Sequence, residues 1–433
     1  MEKNLFRVLV FPSCNEPGLE IIHALTKSNK VVLFGGSSGD TAIDPSKNIL
    51  RYHLKIPSLY DRKFRGKFIE ILKRHKINYV FPTVDALVAE FSTWKVKGVT
   101  FLVTDTISAK LAMSKSALYK RLAGIIPVPQ LYSDRKEISY PAFAKFDGFA
   151  GAKGAFVVRN AVDLAKAERD KMIVCQYLEG DEYTVDAVSD LGGKLLFHNA
   201  RKRSKIGRSI ALGTKSVKRR DISKYMHKIA RELKIRGPWF AQFKSDGKGQ
   251  LILLEVNCRM GGSSTLTRLS GVNIPLLSLF LFAKYDVQVA KVSQALEINR
   301  ALTNYTDPLK LKAVFWDLDD TLIRKDGKTD PDSIACLYDL YNRGTRQILI
   351  SRKPDVRALS VKYKLPPIFR DIQCSSDKVK TIRNYLRQNN LPAPAVAVIN
   401  DSNIENRALQ KAFPKMLIVT PECLERLGRE KIK

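Results

Sequence analysis

The sequence lacks any apolar run long enough to cross a lipid bilayer. Its most apolar helix-like segment covers residues 274–282, which is much shorter than the roughly 20 residues that a transmembrane helix needs. The first ten residues also lack the apolar stretch and the small-residue cleavage site of a signal peptide. We therefore expect a cytoplasmic protein without a membrane span.

Cysteine and histidine are scarce. The six cysteines are scattered without a C-x-x-C pair, and there are five histidines. Scattered cysteines in apolar contexts are typical of reduced thiols inside cells, so neither a disulfide framework nor a zinc site is expected. Internal repeats and low-complexity segments are not evident either, which leaves an ordinary globular composition.

Basic residues strongly outnumber acidic ones. The 433 residues include 74 Lys+Arg and 43 Asp+Glu, which gives a formal net charge of +31. The excess is found both before and after residue 311, so it is not a basic tail. This charge favours anionic partners such as phosphorylated metabolites or nucleic acid, although lysines on solvated faces would produce the same composition.

The length predicts two to four domains, and the element patterns suggest where they divide. Strand and helix patterns alternate over residues 6–105, which predicts a parallel sheet with helices on both faces. Further along, the predicted segments are a helical pair at 106–124, short strands at 141–145 and 154–158, mainly strands from 172 to 257 with one helix near 222–234, helices over 262–300 and a short linker at 301–310.

A glycine-rich segment follows the short strand that ends at Lys145. Glycine has no Cβ, so backbone N–H groups can approach phosphate oxygens closely, and neighbouring lysines add positive charge. The residues suited to such contacts are Lys145, Gly151, Lys153 and Gly154. A plain hairpin turn has the same composition, so this segment alone does not decide the function.

Two later segments carry groups that could bind the base and the ribose of a nucleotide. The strand edge at Gln176, Tyr177 and Leu178 can offer backbone groups to a purine, and Glu182 follows at a distance suited to ribose hydroxyls.

Another strand, which ends at Asn257, carries a candidate metal site. Glu255 and Asn257 alternate on one strand face and therefore offer two oxygen ligands for Mg²⁺, as Gln242 can from an earlier strand. Arg259 would continue the same face and could bind a phosphoryl or carboxylate oxygen. A structural Glu/Asn pair on a solvated strand is the alternative.

The order and spacing of these segments resemble the ATP-grasp superfamily, in its branch near carbamoyl-phosphate synthases and related carboxylate–amine ligases. The resemblance covers roughly residues 1–295 and implies a Rossmann-like pre-ATP-grasp domain over 1–105 and an ATP-grasp domain over 106–300. It also implies ATP as cosubstrate, Mg²⁺ or alternatively Mn²⁺ as cofactor, and an acyl phosphate that an amine attacks. The residues so implied are Lys115 and Lys145 at the phosphates, Gln176 to Leu178 at the adenine, Glu182 at the ribose, and Gln242, Glu255 and Asn257 at the metal.

The sequence departs from the family pattern at Gln176, where many relatives carry Glu. A basic stretch over residues 201–220 corresponds to strands that cross the acceptor side of the cleft in these relatives. Arg203 and Arg208 could neutralise an acyl phosphate or a phosphorylated substrate there, with Arg203 favoured. A solvated basic loop is the alternative for each of them.

Two aspartates one residue apart directly follow an apolar strand near the start of the last 120 residues. Asp317 and Asp319 would point to the same side of that strand end. One carboxylate can attack phosphorus while the other moves a proton, and Mg²⁺ can offset their mutual repulsion.

This motif resembles the start of the haloacid-dehalogenase-type (HAD) phosphatases, and the resemblance covers nearly all of residues 311–433. It implies Asp317 as the nucleophile and Asp319 as the acid/base. Glu405 stands where Asp is commoner, so Asp401 is expected to be the main added metal ligand. The other implied residues are Ser351, which would hold the phosphoryl group, and Lys378, with Lys380 as the second candidate for the phosphate-binding lysine.

The short spacing between these HAD-like motifs leaves no room for a cap domain, so we expect a capless, HAD-like Rossmannoid α/β domain with an open site. The whole chain then combines α/β and α+β domains. Its predicted metal ligands are Gln242, Glu255 and Asn257 in one site and Asp317, Asp319 and Asp401 in the other.

The combined motifs predict a bifunctional enzyme. One part would join a small carboxylate to an amine, on phosphorylated or anionic molecules, and the other would dephosphorylate a related substrate or product. The alternative is a nucleic-acid-binding, end-processing phosphatase with a regulatory or silent ATP-binding domain, although RRM, KH and helix-turn-helix signatures are not evident. A homodimer is compatible with the resemblance, because ATP-grasp relatives often dimerise.

Overall fold

The computed structural model divides into two compact units after residue 302, within the segment predicted as a linker. The described residues are 5–39, 44–148, 154–207, 210–289, 296–301 and 303–432. Among them, no helix is both long and apolar enough to cross a membrane.

The first unit begins with a parallel sheet flanked by helices. Asn15 accepts a hydrogen bond from the backbone N–H of Gly18 at 2.9 Å, and this cap begins the first helix. The elements are β1 (Phe6–Phe11), α1 (Glu16–Leu25), β2 (Val31–Ser37), α2 (Ser46–Ile49), β3 (Tyr52–Lys55), α3 (Phe64–Arg74), β4 (Tyr79–Pro82), α4 (Asp85–Phe91) and β5 (Thr100–Phe101). The strands are ordered β3-β2-β1-β4-β5.

The remainder of the first unit contains two antiparallel sheets. Their elements are α5 (Thr106–Met113), α6 (Lys115–Leu122), β6 (Ala142–Lys145), β7 (Phe156–Val158), α7 (Ala161–Arg169), β8 (Ile173–Gln176), β9 (Glu182–Ser189), β10 (Leu195–Gly207), β11 (Ile210–Val217), α8 (Arg220–Leu233), β12 (Gly237–Ser245), β13 (Leu251–Asn257), α9 (Thr265–Leu269), α10 (Ile274–Phe282) and β14 (Glu297–Asn299). The small sheet has the order β7-β6-β8, and the large one β13-β12-β9-β10-β11-β14. The apolar stripe of α8 packs on the large sheet, because its buried residues recur every three or four positions.

The prediction of helices throughout 262–300 is wrong at its end. Glu297–Asn299 form β14, which pairs antiparallel with β11, Glu297 lying opposite Lys215. The unpaired edge of β11 offers backbone partners that local sequence cannot reveal, so tertiary pairing decides the structure here.

The second unit is a parallel sheet between helices. Val314 and Trp316 pack into one hydrophobic core while Ala313 and Phe315 pack into the other, because successive side chains of a strand point to opposite faces. The elements are β15 (Ala313–Trp316), α11 (Pro331–Asn342), β16 (Arg346–Ser351), α12 (Val356–Lys362), β17 (Phe369–Cys374), α13 (Lys378–Gln388), β18 (Val396–Ile399), α14 (Asn403–Ala412) and β19 (Leu417–Val419). The strands are ordered β17-β16-β15-β18-β19.

A buried ion pair joins β9 to β10 in the first unit. The Arg201 guanidinium is fully buried and binds both carboxylate oxygens of Asp186, one of them at 3.0 Å. The Thr267 hydroxyl donates to the same carboxylate at 2.7 Å, and Arg201 Nε donates to Ser263 Oγ at 3.0 Å. Both charges are therefore compensated in the interior.

Substituting Asp186→Ala should lower the free energy of unfolding of the first unit by roughly 3–5 kcal/mol, because it leaves the Arg201 charge buried without its partner. Urea unfolding of the full chain measures this. Asp181→Ala is the matched control, since its ion pair with Lys202 is solvent-exposed and should contribute less than about 1 kcal/mol. Equal losses in the two variants would contradict this interpretation of the buried pair.

Candidate active sites

The strand register of the first unit brings the three predicted metal ligands to one face of the large sheet. Gln242 of β12 lies directly opposite Glu255 of β13, and Asn257 follows two residues later on the same side. The Asn257 amide nitrogen is buried and makes no hydrogen bond to any described residue. A buried amide nitrogen without a partner can donate a hydrogen bond to a bound ligand or to a group bound to the metal.

A buried lysine lies beside this strand. Lys145 Nζ, at the end of β6, donates to the Tyr119 hydroxyl at 2.6 Å, and that hydroxyl donates to the Leu254 carbonyl at 2.5 Å. The tyrosine thus links the candidate phosphate-binding lysine to the strand residue that precedes Glu255.

The Lys145 ammonium is not neutralised by a direct ion pair. It is only 8% exposed, and no carboxylate in the described part of the chain comes within 4.0 Å of it. Burial lowers the pKa of Lys145 and the charge of Lys115 adds to that effect, whereas Cys175, Glu255 and Asp147 oppose it. The geometry therefore leaves a place for an anion beside Lys145.

Lys115 is held near Lys145 through the loop after β6. Asp147 accepts hydrogen bonds from Ser114 Oγ at 2.9 Å and from the Ser116 backbone N–H at 2.7 Å, which ties this loop to the start of α6. Lys115 Nζ lies 3.5 Å from the Asp147 carbonyl oxygen. Sequence reasoning missed both Asp147 and Tyr119. An acid two residues after the strand-ending lysine was the available signal for Asp147, and nothing in the pattern singled out Tyr119.

The glycine-rich loop is only partly described. Gly154 has a positive φ of 73°, which suits glycine, and a Cβ there would lie 3.1 Å from the Phe146 ring. Gly151 and Lys153 lie outside the described residues.

The proposed adenine and ribose contacts lie along β8 and β9. Gln176 ends β8, where its backbone N–H donates to the Gln130 carbonyl at 2.9 Å, and Tyr177 and Leu178 follow directly. Glu182 begins β9, and its carboxylate forms ion pairs with Arg203 at 3.1 Å and Lys244 at 3.4 Å. The structure thus brings two predicted site residues, Glu182 and Arg203, into contact with each other. Arg208, the other candidate of the basic stretch, lies outside the described residues.

Arg259 is engaged elsewhere. Its guanidinium binds both oxygens of Asp85, at 3.1 and 2.8 Å, and lies over the Phe240 ring. This pair connects the start of α4 to the residues after β13. The partner lies 174 positions away along the chain, so no local pattern could predict it.

A glycine pair after β13 allows a further close contact that the sequence did not suggest. A Cβ on Gly262 would lie 2.7 Å from Glu16 Oε2, so only glycine fits here without displacing that carboxylate. Arg300 donates to the Gly262 carbonyl at 2.5 Å, and its Nη1 lies 3.8 Å from Glu16.

In the second unit, the predicted phosphatase residues collect at the carboxyl ends of neighbouring parallel strands. Asp317 follows β15, Ser351 ends β16, and Asn400 and Asp401 follow β18. The buried Lys378 Nζ lies 2.9 Å from Asp317 Oδ1 and 3.2 Å from the side-chain oxygen of Asn400. Ligand sites of open parallel sheets typically form at this edge.

Lys378 also contacts Glu405 Oε2 at 2.7 Å. Burial raises the pKa of Asp317, and the Lys378 charge opposes that rise. Burial also acts to raise the pKa of Glu405, but the hydrogen bond and charge of Lys378, with the charge of Arg352, outweigh it and lower that pKa. Lys380, the second candidate, instead lies in the first turn of α13, with its backbone N–H bonded to Asp377.

The other two predicted metal ligands of this unit are placed differently. Asp319 Oδ1 lies 2.7 Å from Lys353 Nζ, and this hydrogen bond raises the pKa of Lys353. Asp401 is exposed. Among the described residues, no group of three or more His, Cys, Asp or Glu is arranged to hold a metal ion. Asp317, Asp319 and Asp401 are therefore not brought together as a ligand set, and the magnesium prediction for this unit stays a prediction.

A family model and several solved structures are similar to parts of the chain. Residues 168–303 match a family model described as ATP-grasp in the biosynthetic pathway with Ter operon. No curated protein shows significant similarity to the chain.

Several solved structures share its fold. The biotin carboxylase domain of Hydrogenobacter thermophilus 2-oxoglutarate carboxylase, in complex with MgADP, ADP and bicarbonate, is 17% identical with a TM-score of 0.56, covering 66% of this chain and 71% of that one. Biotin carboxylase from Campylobacter jejuni is 17% identical with a TM-score of 0.55, covering 66% and 72%. The ADP complex of N5-carboxyaminoimidazole ribonucleotide synthetase is 12% identical with a TM-score of 0.54, covering 68% and 81%. The family match covers residues 168–303, and the structural matches show that about two thirds of the chain shares its fold with these proteins.

Proposed function

We propose that the first unit is an ATP-dependent carboxylate–amine ligase, with residues 1–105 as the pre-ATP-grasp domain and 106–300 as the ATP-binding domain. The observation that carries this proposal is the buried Lys145 ammonium, which has no carboxylate partner among the described residues and lies next to the strand that bears Glu255 and Asn257. A triphosphate would supply the missing anion beside Lys145, since a buried charge is stable only when it is compensated.

The metal site of this unit fits Mg²⁺ or Mn²⁺. Gln242, Glu255 and Asn257 offer oxygen ligands, and the unbonded amide of Asn257 leaves that side chain available. A metal ion there would neutralise charge on the phosphates during transfer.

The proposed reaction has two steps. A carboxylate oxygen of the first substrate attacks the γ-phosphorus and ADP leaves with the electrons of the broken P–O bond. The amine then attacks the acyl carbon, inorganic phosphate departs, and the amine loses a proton. Lys115 and Lys145 would hold the phosphates and stabilise charge during both steps.

For the second unit, we propose an aspartyl-phosphate phosphatase of the capless HAD-like type that acts on a related phosphorylated molecule. The supporting observation is Lys378, whose ammonium lies between Asp317 and Glu405 where three parallel strands end. Asp317 would attack phosphorus while Asp319 protonates the departing alcohol. Asp319 would then take a proton from the water that hydrolyses the aspartyl phosphate, and Ser351 and Lys378 would hold the phosphoryl oxygens.

Glu255→Gln should reduce ADP release about 100-fold or more, because it removes a charged metal ligand at the site of phosphoryl transfer. The assay incubates the full chain with MgATP and pools of carboxylates and amines, and then quantifies ADP. Glu297→Gln is the matched control, since that carboxylate is half exposed and pairs with Lys215 on the sheet edge. A Glu255→Gln variant with an unchanged ADP yield would exclude the proposed metal role.

Tyr119→Phe should raise the KM for ATP about tenfold, because Lys145 loses the hydrogen bond that orients it. Initial rates of ADP release at varied ATP concentrations measure the effect. Tyr338→Phe, which removes an exposed hydroxyl from α11 of the second unit, should leave the KM unchanged. Equal KM values in wild type and Tyr119→Phe would show that the hydroxyl does not position Lys145.

Asp317→Asn should reduce phosphate release from p-nitrophenyl phosphate by at least about 10³-fold, as expected for loss of a nucleophile. The control Asp326→Asn removes an equivalent charge from an exposed position that pairs with Arg324 and Lys328. If both variants retain wild-type activity, any phosphate release has another source than the proposed site.

A further inference from the structure

The Glu405 carboxylate forms ion pairs with two basic side chains, one at each of its oxygens. Its Oε2 lies 2.7 Å from Lys378 Nζ, and its Oε1 lies 2.6 Å from Arg352 Nε. The Glu405 side chain is only 11% exposed. Both oxygens are thus engaged, so Glu405 acts as a bridge between the site lysine and Arg352.

Arg352 contacts Glu405 through Nε, and its side chain is largely exposed to solvent. Its side chain is 64% exposed, and its terminal Nη1 and Nη2 groups donate no hydrogen bond within residues 303–432, all of which the structure describes. The guanidinium fork can bind a carboxylate or phosphate through two parallel hydrogen bonds. The contact between Glu405 and Nε orients the guanidinium and leaves the Nη1 and Nη2 groups available for a ligand.

The position of Arg352 relates this fork to the proposed chemistry. Arg352 directly follows Ser351, the candidate phosphate-holding residue, at the end of β16. A chain of three ion pairs, Asp317–Lys378, Lys378–Glu405 and Glu405–Arg352, connects Asp317 to Arg352. The guanidinium fork and the proposed nucleophile therefore belong to one connected cluster of charged side chains.

Stability alone does not account for the Arg352–Glu405 pair. An ion pair with one highly exposed partner contributes at most about 1 kcal/mol. The neighbouring Lys353 is paired with Asp319 at 2.7 Å, whereas the Nη groups of Arg352 donate no hydrogen bond within residues 303–432. The Arg352 side chain is largely exposed, so a ligand can reach these donors.

We propose that Arg352 binds a second anionic group of the phosphate ester, so that the preferred substrates carry a carboxylate or a further phosphate on the alcohol part. Glu405 positions Arg352 for this contact. The inference rests on the proposed phosphatase activity and specifies its substrate class. It also accounts for selectivity in a site that has no cap domain over it.

The test compares esters that differ in one charge. The full-length protein is assayed with 3- and 4-carboxyphenyl phosphate and with the corresponding neutral carbamoylphenyl phosphates. The measured quantity is the ratio of kcat/KM for the acid to that for the amide, which cancels general losses of activity. We expect a ratio of about ten or more for at least one isomer pair in the wild type.

Arg352→Ala should reduce this ratio to about one, and Arg352→Lys should give an intermediate value, because lysine keeps the charge but lacks the fork. Arg357→Ala is the matched control, since it removes the same charge from an exposed position on α12, and its ratio should equal that of the wild type.

A wild-type ratio near one, or an undiminished ratio in Arg352→Ala, would overturn the assignment of Arg352 while the phosphatase proposal stands. If the wild type hydrolyses none of the four esters, the phosphatase proposal fails and the substrate assignment fails with it.

Discussion

A cation buried in a protein interior needs an anion or a strong hydrogen-bond acceptor close to it, and three buried basic side chains meet this constraint in different ways. Arg201 is fully compensated by Asp186 and therefore acts as a structural tie between two strands. Lys378 is shared between Asp317 and Glu405, as expected of a lysine that tunes a reactive carboxylate. Among the described residues, the hydrogen-bond partner of Lys145 Nζ is the neutral Tyr119 hydroxyl, so an anionic ligand would complete its surroundings. The degree of charge compensation thus differs among these three cations.

The two units place their candidate residues by different architectural rules. In the first, Glu255 and Asn257 lie on the face of an antiparallel sheet, where alternation along β13 and its register with β12 define the arrangement. In the second, Asp317 and Ser351 lie at the carboxyl edge of a parallel sheet, where Asp317 directly follows β15 and Ser351 ends β16. Each arrangement brings oxygen-bearing and basic side chains close together.

Much of this organisation was predictable from the sequence, because strand alternation and the residues at strand ends are local features. Glu255 and Asn257 were expected on one strand face, and Asp317 directly after an apolar strand. What could not be predicted depends on partners distant in sequence. Arg259 binds Asp85 from another part of the chain, and Glu297–Asn299 become a strand only because β11 offers an edge. The bridging role of Glu405 likewise follows from Arg352 and Lys378, which lie on two other elements.

Binding of MgATP to the full chain, measured by isothermal titration calorimetry, tests the central claim most directly. The account predicts saturable binding of one nucleotide at the first unit, and at least about tenfold weaker binding in Lys145→Met, which keeps the apolar stem of the side chain but removes its charge. If the wild type shows no saturable binding, or if the two proteins bind MgATP with equal affinity, the claim that Lys145 binds a phosphate group of the nucleotide is contradicted.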